Sequence, residues 1–79
     1  MKKRLLVVYV LMLTKAGRER NVANKAGEFP GVSDVRTVYG EYDVVVRIEL
    51  SDLSVLEQTV TQIRRIPGVM RTATLISTS

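Results

Sequence analysis

From Leu5 to Leu13 the chain is apolar at odd and even positions alike. A half-exposed strand alternates, so this stretch is predicted to be a strand covered on both faces. Between Gly17 and Gly27, Val22, Ala26 and Phe29 fall at helical spacing with Ala23 beside them, and charges fill many other positions. That spacing predicts a first helix, which Pro30-Gly31-Val32 stops, since proline cannot continue it and glycine tolerates the turn. Asp34 to Tyr39 alternates, with Val35, Thr37 and Tyr39 on one side, and reads as a strand. Gly40-Glu41 is a tight connection into Tyr42 to Leu50, where Val44, Val46, Ile48 and Leu50 share one face. Two strands joined this closely pair as an antiparallel hairpin.

Ser51-Asp52-Leu53-Ser54 then carries helix-start chemistry, and Ser54 with Glu57 three residues on has the spacing of a capping box. Leu53, Leu56, Val60, Ile63 and Ile66 form the clearest helical stripe of the chain. Pro67-Gly68-Val69 ends it, and Met70 to Ser77, rich in threonine and β-branched residues, is the last strand.

Phe29-Pro-Gly-Val32 and Ile66-Pro-Gly-Val69 now align, each preceded by a helix and followed by a strand. Two interleaved β-α-β halves give an α+β fold of ferredoxin-like β-α-β-β-α-β type. Its four-stranded antiparallel sheet carries both helices on one face. The first strand is apolar on both faces, so the face without helices needs its own cover. An identical face of a second subunit is the simplest one.

Composition narrows the function. With 79 residues there is room for one domain, and a core this small is marginal without association. There is no Cys, so no disulfide framework or thiolate metal site, which points to the cytoplasm. There is no His either, which removes the readiest proton carrier near neutral pH and the commonest metal ligand. The net charge of +4 invites a nucleic-acid reading, but the basic residues are scattered along the sequence among acidic ones. A mixed, solvated surface is therefore expected. Lys2-Lys3-Arg4 before an apolar run resembles a secretory signal. The run is valine-rich, far short of the ~20 residues of a membrane span, and needed as a first strand.

Tyr39-Gly-Glu-Tyr-Asp43 is the densest polar and aromatic cluster. It is either a loop whose amides and carboxylates hold a small polar ligand, with Asp43 toward an amine, or an ordinary hairpin of turn-forming residues. Thr72 and Thr74 project to one side of the last strand, where they can hydrogen-bond a ligand or simply favour a strand. Glu41 and Asp43 lack the contrasting environments an acid–base pair requires, and neither a dinucleotide fingerprint nor a Walker loop is present.

Val38-Tyr-Gly-Glu-Tyr-Asp-Val-Val-Val-Arg-Ile48, the Leu53/Leu56 helix and Ile66-Pro-Gly-Val-Met-Arg-Thr-Ala-Thr74 resemble the effector domain of Lrp/AsnC transcriptional regulators. That domain is called RAM, for regulation of amino acid metabolism, and the likeness covers essentially the whole chain. It implies one RAM-type domain over 1–79 without the helix-turn-helix part of full-length members. It also implies dimers formed by sheet-face packing, assembling to an octamer or decamer, with an amino acid bound between dimers. The ligand-binding residues carried over are Gly40, Glu41, Tyr42 and Asp43, with Thr72 and Thr74. No cofactor, membrane contact, direct DNA binding or catalysis is expected. Full-length regulators are the expected partners besides the chain itself. The rival readings are a small ferredoxin-like enzyme and a nucleic-acid-binding ferredoxin-like domain.

Overall fold

The computed structural model describes residues 5–77, and the Lys2-Lys3-Arg4 run lies outside them. The elements run β1 (Leu6–Thr14), α1 (Glu19–Ala26), β2 (Val32–Thr37), β3 (Val44–Leu50), α2 (Leu53–Arg64) and β4 (Val69–Ile76). The strands form one sheet in the order β2-β3-β1-β4, with every neighbouring pair antiparallel. This is the expected ferredoxin-like α+β arrangement.

The pattern of β1 explains its central place. Val8, Val10, Met12 and Thr14 are buried, and the first three pair across with Ile48, Val46 and Val44 of β3. Val22 and Ala26 of α1 and Leu56 and Ile63 of α2 close over this face, with Ile66 at its margin. A fully buried aliphatic side chain contributes about 1.5–3 kcal/mol over leaving it exposed. α1 brings only one aliphatic side chain larger than alanine to full burial, so its eight residues depend on their neighbours.

The opposite face has no helix. Val7, Tyr9, Leu11 and Leu13 lie there beside Val45, Arg47 and Glu49 of β3, and Arg71, Ala73 and Leu75 of β4. The four β1 side chains are only half-buried. Arg47 is tied across this face: its guanidinium donates to the Tyr9 hydroxyl (3.4 Å) and to Ser33 Oγ (3.1 Å), and it pairs with Glu49.

Each Pro-Gly-Val turn is stitched to a neighbouring strand by the same bond. The Gly31 carbonyl accepts from Glu49 N–H and the Gly68 carbonyl from Lys15 N–H, both at 2.8 Å. Both glycines have positive φ, 82° and 102°. Thr59, buried on α2, donates from its hydroxyl to the Pro30 carbonyl (3.1 Å) and so ties the second helix to the first turn.

Three expectations shift. β2 starts two residues earlier and stops two earlier than the alternation suggests. Val32 pairs with Ile48 through an irregularity before Asp34, and Tyr39 falls in the hairpin loop. The N-cap of α2 is Asp52, not Ser54. Its carboxylate accepts from Ser54 N–H (2.8 Å) and Val55 N–H (3.3 Å), so no capping box forms. Leu53, counted in the apolar stripe, is 59% exposed on the first turn, and Thr59 takes a buried place in the stripe instead.

Candidate functional site around the hairpin

The β2–β3 hairpin closes with Val38 N–H donating to the Asp43 carbonyl (2.9 Å), and Asp43 N–H donates to the Met12 carbonyl (2.8 Å). The Asp43 carboxylate then takes the Thr14 N–H (2.8 Å) and the Thr14 hydroxyl (3.2 Å) through one oxygen. Asp43 thus holds the base of the hairpin to the end of β1. This structural duty was not foreseen for a residue read as facing a ligand amine.

Two clefts flank the hairpin. The larger, about 610 Å³, lies toward the start of α1 and is lined by Thr14, Ala16, Gly17, Glu19, Arg20, Thr37, Val38, Tyr39 and Asp43. The smaller, about 360 Å³, is lined by Leu13, Glu41, Tyr42 and Arg71, and Leu13 and Arg71 place it on the helix-free face. Each cleft therefore offers one arginine together with at least one carboxylate.

The six residues expected to bind ligand divide accordingly. Gly40 sits in the exposed loop, Glu41 and Tyr42 border the smaller cleft, and Asp43 borders the larger. Thr72 and Thr74 share a side of β4, as alternation demands, but it is the helix-covered side, opposite Met12 and Val10. They line neither cleft within this chain. Thr14, Glu19, Arg20 and Arg71 were missed. The topology contained the signal, because a β-α-β-β-α-β chain places the β1–α1 turn and the start of β4 at the same sheet end as the hairpin.

Among the described residues no group of three or more carboxylates (the chain has no His or Cys) is placed to hold a metal ion. No helix of the described residues is long and apolar enough to cross a membrane.

The sheet order and antiparallel pairing define the class: a ferredoxin-like α+β domain. A family model described as the Lrp/AsnC ligand binding domain matches residues 7–79. The chain belongs to this family. It is 32% identical over 71 residues to the HTH-type transcriptional regulator FL11 of Pyrococcus horikoshii, covering 90% of this chain and 47% of that protein. It thus spans about half the length of the curated regulators it matches. A 53-residue stretch, 67% of this chain, is 36% identical to a part making up 12% of homocitrate synthase from Sulfurisphaera tokodaii.

Among solved structures, hypothetical protein PHS023 from Pyrococcus horikoshii superimposes with a TM-score of 0.84 at 39% identity, covering 94% of this chain and 90% of its own. E. coli AsnC, at 16% identity, shares the fold with a TM-score of 0.81 over 94% of this chain and 51% of its own.

Proposed function

We propose that this chain is a non-catalytic, oligomeric binding module that takes up an α-amino acid or related metabolite at the β2–β3 hairpin. The charge make-up of the two clefts carries this reading. A zwitterion requires a cation for its carboxylate and a carboxylate for its ammonium group within a few ångströms of each other. Arg20 with Glu19 and Asp43, and Arg71 with Glu41, supply such pairs, and Tyr42 and Leu13 offer an apolar wall for a side chain. Arginine suits the first task because its planar fork takes a carboxylate bidentately.

The helix-free sheet face supports the assembly part of the proposal. Val7, Leu11, Val45 and Leu75 on that face are matched most economically by the same face of a second copy about a twofold axis. Dimers then assemble to an octamer or decamer, and Thr72 and Thr74 reach the ligand from a neighbouring dimer. Entry into assemblies of full-length regulators passes ligand occupancy on to transcription, a role set in the cytoplasm. The similar stretch within a homocitrate synthase fits a module that serves hosts of different activity.

The decisive experiment is a thermal-shift screen of the intact protein against the common amino acids, paired with light scattering. A ligand present at about 100 times its dissociation constant adds about 2.7 kcal/mol of apparent stability. The expected result is an oligomer stabilised by one amino acid or a few, with the shift lost in Arg71→Ala or Arg20→Ala. No shift with any amino acid removes the ligand half of the proposal, and a monomer at micromolar concentration removes the assembly half.

A further inference from the structure

The fold sorts the nine described cations by position. Lys25, Arg36 and Arg47 each face a carboxylate: Glu28 at 3.6 Å, Asp34 at 3.0 Å, and Glu49. The other six, Lys15, Arg18, Arg20, Arg64, Arg65 and Arg71, form no ion pair among the described residues. All six lie at one end of the molecule, where β1 stops, α1 starts, α2 stops and β4 starts. Contacts knit this end together. Lys15 N–H reaches the Gly68 carbonyl at 2.8 Å, and the Arg18 Cβ stands 3.3 Å from where a side chain on Gly68 would begin. Arg65 caps α2 just before that turn.

Only Glu19, Glu41 and Asp43 oppose the six cations here, leaving this end at +3. The other five carboxylates, Glu28, Asp34, Glu49, Asp52 and Glu57, lie away from it, and three of them face Lys25, Arg36 and Arg47. The positive end of the α1 dipole and the negative end of the α2 dipole both lie here and offset each other, so the side chains set the charge of this end. In sequence these cations are spread from position 15 to 71, which is why a scattered surface was expected.

A single small anion can meet two or three of these groups, whereas a linear polyanion can meet the set. Five of the six are arginines, whose planar fork matches a phosphate. Tyr39, wholly exposed at 106% of its reference area, borders the same cleft as Arg20. An acidic peptide would leave that ring without a partner, whereas a nucleobase stacks on it. We propose that this end binds single-stranded nucleic acid, with phosphates along Lys15, Arg18, Arg64 and Arg65 and a base against Tyr39. This surface shares Arg20 and Arg71 with the clefts of the amino-acid proposal. Its test contains no amino acid and varies Arg64, Arg65 and Tyr39 instead, so failure of one reading is distinguishable from failure of the other.

The test is fluorescence anisotropy of a labelled oligo(dT) of about 20 nucleotides with the full chain, across roughly 50–300 mM NaCl, a range in which phosphate contacts weaken measurably. Neutralising four phosphates predicts a slope of log K against log salt of about −3, and the Arg64→Ala/Arg65→Ala variant should be shallower by about 1.4. Tyr39→Ala should weaken binding about five- to a hundredfold at unchanged slope. Lys25→Ala, a paired cation at the other end, should match the parent. Circular dichroism of each variant confirms that it is folded. Absence of binding at the lowest salt overturns the proposal, as does an unchanged slope in the double variant. Equal competition by poly-glutamate, or tighter binding of a duplex with no effect of Tyr39→Ala, overturns the single-strand assignment.

Discussion

The two Pro-Gly-Val turns have the same residues, the same positive-φ glycine and the same bond to a neighbouring strand, yet they stand on different ground. A methyl group on Gly31 would fall 2.4–2.8 Å from three atoms of the Leu50 side chain. On Gly68 it would meet Arg18 Cβ and Val22 Cγ2 at 3.3 Å. The first turn also has its proline carbonyl bonded by Thr59 of the opposite half, and no side-chain bond to the second turn's proline carbonyl corresponds to it among the described residues. Identical motifs therefore fix the local backbone, while their surroundings decide how much each can tolerate. The half with the weaker helix has the more tightly seated turn.

The strongest way to break the equivalence is to add one carbon at each glycine. Gly31→Ala combines a left-handed backbone with a clash against branched carbons and should cost about 2–5 kcal/mol. Gly68→Ala has the same backbone strain and milder contacts, and should cost about 1–2 kcal/mol. Urea unfolding at one fixed protein concentration measures both, and equal losses would show that φ alone sets the cost. Next in size, Thr59→Val deletes the bond between halves while keeping the shape, for an expected loss of about 0.5–1.5 kcal/mol. A loss confined to measurement error would mean that solvent serves the Pro30 carbonyl equally well.

The smallest contrast lies at the helix starts. Asp52 caps α2 with two bonds, whereas Arg18 at the head of α1 makes no side-chain cap bond. Asp52→Ala should cost about 1 kcal/mol, and Arg18→Ala about 0.5 kcal/mol or less. Comparable losses at the two positions would show that Arg18 stabilises α1 through its packing on Gly68 rather than through its end.

The sheet and both helices were legible because their signals are local: the doubly apolar β1, the period of β3, and the two turns that stop the helices. Element ends were less so. Tyr39 continues the alternation of β2 on paper, but Val38 already closes the hairpin onto Asp43, and pairing rather than pattern ends a strand. Thr59 carries no apolar signal for the α2 stripe, because what makes its burial possible is the Pro30 carbonyl 29 residues away. For the candidate site, the hairpin was visible as a cluster of chemistry. Arg20 and Arg71 were not, since each comes to the hairpin from another element and is its neighbour only in the folded chain. The threonine pair shows the reverse case. Its alternation was read correctly, but alternation cannot say which side of the sheet it selects.

The bond from Thr14 N–H to Asp43 turns one backbone proton into a clock for the hairpin. Lifting the hairpin base off β1 requires that contact to break, and the proton then becomes free to exchange with solvent. Its exchange rate in deuterated buffer counts openings of the loop, independently of any chromophore or label. A molecule settling in the larger cleft beside Thr14 and Asp43 would slow that clock by the same factor, one plus the ratio of its free concentration to its Kd, by which it disfavours unfolding.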